Sequence, residues 1–134
     1  MENNKLIEMA IEARDNYSYT PYSNFKVGAA VEMEDGSVYT GGNIEISSYS
    51  PTNCAERTAI FKAVSEGHRE IKKIAIVSSG GETFPCGVCR QVIREFGKDV
   101  QILIAITPED YKVFTLEELL PHSFGPEDLG VKNV

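Results

Sequence analysis

The chain has 134 residues, of which 42% are hydrophobic and 25% are charged, and its formal net charge is −7 at pH 7. These values are typical of one globular domain, and they disfavour a large phosphate-tracking surface, which needs an excess of lysine and arginine. No apolar run approaches the roughly 20 residues that span a bilayer. The first residues, MENNKLIEMAIEARD, are charged throughout and lack the apolar segment of an export signal, so we expect a cytoplasmic protein.

The first half of the chain predicts a helix, a β-hairpin and a second helix. The predicted ranges are 3–17 for the first helix, 25–33 and 38–46 for the strands, and 54–66 for the second helix. Apolar residues recur at helical spacing in the first range and alternate in the second. Asp35-Gly36 is a strong hairpin signal, and Gly41-Gly42 should bend the returning strand. Asn53 is expected to cap the second helix and Gly67 to end it.

The second half predicts two buried strands joined by a helix, followed by a short hairpin and a last helix. The predicted ranges are 71–79, 100–106 and 111–114 for the strands, and 86–96 and 116–120 for the helices. Thr115 and Glu118 resemble a capping box. A helical connection makes the strands that it joins parallel, whereas the short link TPED allows only an antiparallel last pair. We therefore expect residues 1–134 to form a single α/β domain, with a five-stranded mixed sheet covered by helices.

Three cysteines stand at the starts of two predicted helices. Cys86 and Cys89 have the C-x-x-C spacing that places both sulfurs on one side of a first helical turn, and Cys54 begins the other helix. The helix dipole and free backbone N–H groups stabilise thiolates at such positions. In strand–helix units the helix starts lie at one edge of the sheet, so the two helices can converge there. A redox pair is the alternative for the C-x-x-C spacing taken alone.

The donor set favours zinc, because zinc prefers tetrahedral sulfur and nitrogen coordination. The two histidines do not supply an obvious fourth ligand, since His68 lies in a polar segment typical of the solvated surface and His122 follows the proline that ends the last helix. A structural zinc uses four protein ligands, whereas three ligands with one open position are typical of a catalytic zinc. A purely structural zinc module, with no catalysis, remains an alternative.

Three charged residues follow the candidate ligands closely in sequence. Side chains in a first helical turn tilt toward the N-terminus, so Glu56 can approach water on a metal that lies beyond the helix end. The alternative is that Glu56 is a first-turn acid that complements the helix dipole. Zinc with three thiolates carries a net charge of −1, which a guanidinium donating to sulfur would offset. Arg57 and Arg90 are the candidates for this contact, and otherwise they are exposed helix residues.

Two motifs together resemble the zinc-dependent cytidine deaminases, in their short form with three cysteine ligands. They are CAERTA at 54–59 and PCGVCRQV at 85–92. The wider zinc-deaminase signature is His or Cys, then Glu two residues on, then P-C-x-x-C. YSNFKVGAA at 22–30, GGNIE at 41–45 and EELLPHSF at 117–124 also resemble segments of that family, so the likeness covers nearly the whole chain. The resemblance implies a three-layer α/β/α cytidine-deaminase-like fold.

The resemblance also implies a role for each candidate site residue. The implied set is Cys54, Cys86 and Cys89 as ligands of one Zn²⁺ per subunit, Glu56 as proton shuttle, Arg57 beside the thiolates, and Phe25, Asn43, Glu45, Ala55 and Phe124 as substrate contacts. Asn43 and Glu45 would bind the ribose hydroxyls, and Phe25 would pack on the pyrimidine ring. The backbone of Ala55 would contact the base. Phe124 would complete the site of a neighbouring subunit, because short members are homotetramers; core packing is the alternative for both phenylalanines.

The implied reaction is hydrolytic deamination of cytidine and 2′-deoxycytidine to the uridine products and ammonia, a step of pyrimidine salvage. Bound zinc would lower the pKa of water from about 15.7 toward about 7, and Glu56 would carry the proton to the base and to the departing amine. A deaminase of an analogue such as blasticidin S is the alternative, and Ile46, which stands where a small or amide residue is expected, bears on that choice. The short link at 107–110 and the net charge argue against a polynucleotide-editing deaminase. We expect neither a nucleic acid polymer nor a membrane as a partner.

Overall fold

The computed structural model describes residues 1–131, and in that range four helices and five strands follow one another in the predicted order. They are α1 (Asn3–Tyr17), β1 (Val27–Met33), β2 (Val38–Gly42), α2 (Ala55–Ser65), β3 (Ile71–Ser78), α3 (Gly87–Phe96), β4 (Gln101–Ala105), β5 (Tyr111–Thr115) and α4 (Leu116–Leu119), with a 3₁₀ turn at Pro126–Leu129. The expected domain also includes residues 132–134, which lie outside the described residues. None of the described helices is both long and apolar enough to cross a membrane.

The strands form one mixed sheet in the order β2-β1-β3-β4-β5. β1 pairs antiparallel with β2 and with β3, β3 pairs parallel with β4, and β4 pairs antiparallel with β5. The parallel pair across α3 and the antiparallel last pair are therefore both confirmed. The pairing of β1 with β3 had no counterpart in the sequence, because no local pattern states which strand of a hairpin adjoins the next strand.

Helices cover both faces of the sheet, which gives the expected three layers. α1 packs on one face through Leu6, Ile7 and Ala10. α2 and α3 pack on the other face, where Ile60 and Ile93 contribute to the larger core cluster. β1 is buried along its whole length, since it lies between β2 and β3 and is covered on both faces.

Two predicted strand ends were wrong. β1 begins at Val27, so Phe25 lies before the sheet and is 41% exposed instead of joining the apolar face of the strand. β2 ends at Gly42 instead of continuing to residue 46. Beyond Gly42 the chain leaves the sheet, and Ile44 forms isolated bridges with Tyr19 and Asn53. This departure carries residues 43–45 toward the start of α2.

The predicted cap of α2 was also wrong. Cys54, not Asn53, is the N-cap residue, and the Asn53 amide Nδ2 donates to Thr58 Oγ1 at 3.1 Å. α3 has the same arrangement, because Cys86 is its N-cap residue and its sulfur accepts the backbone N–H of Cys89 at 3.4 Å. Both helices therefore begin with a cysteine in an extended backbone conformation.

The remaining turn and cap predictions can be checked one by one. The hairpin turn at Asp35-Gly36 and the capping box of α4 are confirmed. His68 is partly exposed at the surface: its side chain is 23% exposed, and Nδ1 lies 3.3 Å from Asp35 Oδ2. The ring of His68 packs on Tyr39 with centroids 5.4 Å apart, which ties the hairpin to the connection between α2 and β3.

Glycine lets α1 approach the centre of the sheet. A Cβ atom on Gly28 would lie 2.0 Å from the carbonyl oxygen of Ala10 and 2.5 Å from the backbone nitrogen of Arg14. Both contacts are with the backbone of a packed helix, which no side-chain rotation can relieve. The position therefore fixes the distance between the helical layer and β1.

Gly28→Ala should destabilise the protein by about 3 kcal/mol or more, because the added methyl group forces α1 away from β1. Gly87→Ala is the matched control, since nothing lies within 4 Å of a Cβ at that position. Urea denaturation followed by circular dichroism measures both free energies of unfolding. A Gly28→Ala protein as stable as Gly87→Ala would contradict the close packing described here.

Candidate active site

Three cysteines from two helix starts meet at one place. The sulfurs of Cys54, Cys86 and Cys89 all lie within 4.8 Å of one another. Cys54 precedes the first turn of α2, Cys86 precedes that of α3, and Cys89 is fully buried within α3. Zn–S bonds are about 2.3 Å long, so one ion can contact all three sulfurs after small side-chain rotations. The third sulfur distinguishes the cluster from a simple C-x-x-C redox pair.

Hydrogen-bond donors surround the sulfurs. Arg57 Nη2 donates to Cys54 Sγ at 3.2 Å, and the backbone N–H of Cys89 donates to Cys86 Sγ. Hydrogen bonds from the Cys89 thiol and from Arg57 lower the pKa of Cys54 to about 5, although burial opposes the shift. The same hydrogen bond to Cys54, together with burial, raises the pKa of Cys89.

Glu56 lies in the first turn of α2 and is only 5% exposed. Burial raises its pKa to about 7, and the neighbouring Cys54 acts in the same direction. A helix-dipole acid of the ordinary kind is solvated, so the depth of Glu56 does not fit that alternative. The carboxyl group is instead enclosed beside the sulfur cluster, where it can exchange a proton with a bound molecule.

A cavity of about 240 Å³ opens onto the cluster. Its lining contains the expected residues Phe25, Asn43, Glu45, Cys54, Ala55, Glu56 and Cys86, together with Val27, Thr52, Asn53, Thr83 and Phe84. The structure thus brings together seven of the expected site residues. Of the remaining expected residues, Cys89 and Arg57 lie behind the cavity with the sulfurs, and Phe124 is elsewhere.

Asn43 and Glu45 also hold the loop that carries Phe25. Asn43 Oδ1 accepts the N–H of Val27, and its Nδ2 donates to the carbonyl of Phe25, both at 2.9 Å. The Glu45 carboxylate accepts the N–H groups of Tyr22 at 3.0 Å and Ser23 at 3.1 Å. These contacts fix the cavity wall before any ligand binds.

Sequence reasoning missed Ser23 and Phe84. The Ser23 hydroxyl donates to Glu45, and this bond is the main cause that lowers the pKa of the Glu45 carboxyl. No pattern in the sequence pairs two residues so far apart. Phe84 lines the cavity and is two residues before Cys86. Its signal was an apolar aromatic residue in an otherwise polar loop next to a candidate ligand.

The two arginines behave differently. Arg57 contacts sulfur, as expected, whereas Arg90 donates from Nε to the carbonyl of Pro85 at 2.8 Å and from Nη1 to the carbonyl of Leu119 at 2.7 Å. Arg90 is therefore neither a thiolate contact nor a free surface residue. It joins the segment before Cys86 to the end of α4.

Phe124 lies outside the cavity of its own chain. Its side chain is 57% exposed, and its carbonyl accepts the Gln91 side chain at 2.8 Å. Arg94 holds the neighbouring residues through Ser123 Oγ at 2.8 Å and through an ion pair with Glu127. The core-packing alternative is thereby wrong for Phe124, and the exposed position of Phe25 at the cavity makes it wrong there as well.

Comparison with known proteins identifies the family. Residues 1–104 match the family described as the cytidine and deoxycytidylate deaminase zinc-binding region, and the chain belongs to this family. It is 48% identical to the cytidine deaminase of Halalkalibacterium halodurans over 96% of this chain and 98% of that protein. It is 49% identical to the cytidine deaminase of Sporosarcina psychrophila, over 96% of each chain. The crystal structure of cytidine deaminase from Burkholderia pseudomallei aligns with a TM-score of 0.85 at 44% identity, over 92% of this chain and 100% of that one.

The residues present fit the zinc ion of the family. Three thiols with hydrogen-bond donors beside them form a soft donor set, and the cluster faces a cavity that leaves room for a further ligand. One Zn²⁺ per chain is therefore the cofactor. The three-cysteine set with an open position matches a catalytic site better than a closed structural one.

Arg57→Ala should weaken zinc binding by about 10–100-fold, because outer-shell hydrogen bonds tune ligand basicity and orientation. Competition with a chromophoric chelator measures the affinity without any turnover. Arg69→Ala is the control, since Arg69 donates to the carbonyls of Val64 and His68 at the other end of α2. Equal zinc affinity in the two variants would rule out the effect of Arg57 on the sulfurs.

Proposed function

We propose that the protein hydrolyses the exocyclic amine of cytidine and 2′-deoxycytidine, giving uridine or 2′-deoxyuridine and ammonia. The observation that carries the proposal is a buried carboxyl group, Glu56, beside three clustered thiols at the floor of one cavity. When bound, zinc supplies an activated water for attack on C4 of the base. The family and the names of the relatives support this chemistry for a cytosine nucleoside.

The residues around the cluster have separate roles in metal binding and proton transfer. Cys54, Cys86 and Cys89 hold the ion, and Arg57 offsets part of their charge. Glu56 accepts a proton from the attacking water and delivers it to N3 of the base. It then takes the second proton from the hydroxyl added at C4 and passes it to the departing amine. Its enclosed position keeps bulk water from competing for that proton.

Asn43 and Glu45 retain hydrogen-bonding capacity for the sugar. An amide offers two donors and two acceptor sites, and a carboxylate offers about four acceptor sites. In Asn43 one donor and one acceptor site are used by the backbone. Glu45 accepts from Tyr22 and Ser23 and keeps a site for a hydroxyl donor. The two side chains therefore suit adjacent ribose hydroxyls. Phe25 and Ala55 would then contact the base.

Purified protein should convert cytidine and 2′-deoxycytidine with loss of the cytosine absorbance band, and a zinc chelator should abolish the loss until zinc is restored. Blasticidin S, assayed in parallel, tests the analogue alternative. The sugar-directed pair Asn43 and Glu45 favours the ordinary nucleoside, so blasticidin S should be the poorer substrate. Zinc-loaded protein that converts none of the three compounds would disprove the proposed function.

Glu56→Gln should retain one zinc ion but lose at least about 100-fold in kcat, because the amide cannot carry the proton. Metal analysis and the absorbance assay on the same preparation separate the two properties. Loss of zinc from this variant, or near-normal turnover, would contradict the role of Glu56.

We also propose that the active form is a homotetramer with a site near each subunit interface. Phe124 supports this proposal, because an aromatic side chain that is 57% exposed is held in place by contacts to its backbone and neighbours. A neighbouring copy that received this ring would use it to close the nucleoside cavity. The reaction would take place in the cytoplasm as a salvage step on free nucleosides, with no role for nucleic acid polymers or membranes.

Co-expression of Glu56→Gln and Phe124→Ala chains should give more activity at low cytidine concentration than either variant gives alone. In a mixed tetramer a Phe124→Ala chain keeps its own Glu56, and the partner supplies the missing ring. Phe124→Ala by itself should raise KM about tenfold, the effect of losing one aromatic contact. Co-expression with the double variant Glu56→Gln/Phe124→Ala is the control and should give no gain. Equal activity in both mixtures would place the action of Phe124 within its own chain.

A further inference from the structure

The cavity has a second aromatic wall that the proposed chemistry does not use. Phe84 lines the cavity together with Phe25, Glu56 and Cys86, and its side chain is 39% exposed. It has no part in holding the ion, moving the proton or binding the sugar. An aromatic ring that is left open to a ligand cavity costs hydrophobic free energy unless a ligand covers it.

Phe84 packs against the last hairpin. Its ring packs edge to face on Phe114 of β5, with centroids 5.3 Å apart and planes at 67°. The next residue, Pro85, has a fixed φ, and its carbonyl is held by Arg90 Nε at 2.8 Å. At the other side of the loop Lys112 Nζ forms an ion pair with Glu82 at 3.0 Å. The last hairpin and α3 therefore brace the segment that presents Phe84.

The position of Phe84 in the cavity lining places it near the C5 edge of a bound cytosine. Deamination requires C4 at the sulfur cluster and N3 within reach of Glu56, which belongs to α2. C5 is the other ring neighbour of C4, so it points away from Glu56. The loop before Cys86 contributes Thr83 and Phe84 to the cavity wall, as a part of the lining separate from the sugar-directed residues 43–45 and from the proton shuttle in α2. Phe84 is the large side chain of that wall.

We propose that Phe84 is a specificity-determining residue whose ring closes the cavity against C5 of the cytosine and limits the size of substituents at that position. The proposal rests on the proposed deamination of cytosine nucleosides and adds the feature of the base that the site selects. Phe114 is a positioning residue, because it reaches the substrate only through Phe84. The wild-type protein should therefore discriminate against 5-methylcytidine and more strongly against 5-iodocytidine, whose substituent is larger than a methyl group.

The test is the ratio of kcat/KM for 5-methylcytidine to kcat/KM for cytidine, measured within each variant. Phe84→Ala should raise this ratio at least about tenfold over wild type, since a pocket discriminates one methyl group by about 10–200-fold. Phe84→Leu should raise it less, and Phe114→Leu should raise it in the same direction. Val113→Ala is the matched control on the same strand, because its side chain is 48% exposed on the other side of β5, and the ratio should not change.

A second measurement keeps the test independent of turnover. The ratio of the Kd values for 5-methyluridine and uridine, measured by calorimetry on zinc-loaded protein, should fall in Phe84→Ala and stay constant in Val113→Ala. Ratios that stay within twofold of wild type in both Phe84 variants would overturn the proposal, as would wild-type protein that accepts 5-methylcytidine as well as cytidine. The activity of the wild-type protein on cytidine tests the proposed function separately, because that activity does not depend on how the protein treats 5-methyl substrates.

Discussion

The convergence of three cysteine sulfurs from two helix starts is the constraint on which the rest of the structure depends. Thiolates within 4.8 Å of one another repel strongly unless a cation and hydrogen-bond donors offset their charge. Here the donors are the backbone N–H at the start of α3 and the guanidinium of Arg57. Both helices must therefore pack on the same face of the sheet with their first turns together, and the core between them and β1, β3 and β4 provides that packing.

The cavity wall uses side chains that serve two purposes at once. Asn43 and Glu45 bind the backbone around Phe25 and still face the cavity with unused hydrogen-bonding sites. Since the loop cannot move without breaking these contacts, the site is organised before a ligand enters. Less ordering on binding leaves more of the interaction energy for the nucleoside.

The C-terminal part of the chain supports residues of the site without lining the cavity itself. Phe114 supports Phe84, and Arg90 connects Pro85 to the end of α4. Gln91 and Arg94 of α3 in turn hold the segment that carries Phe124. The helix that presents two of the three thiols is thus also the support for the aromatic residues at both the inner wall and the outer surface.

The sequence by itself determined the element order, the strand directions at the last hairpin, the three cysteines that could hold zinc and the acid beside them. These features depend on local periodicity, short connections and the chemistry of residues within a few positions of one another, such as Cys54 with Glu56. Only the tertiary structure decided that β1 adjoins β3, that residues 43–45 leave the sheet, that Ser23 binds Glu45, and that Arg57 rather than Arg90 contacts sulfur. Those outcomes depend on which surfaces meet in space, and contacts between residues far apart in the chain leave no periodic pattern in the sequence.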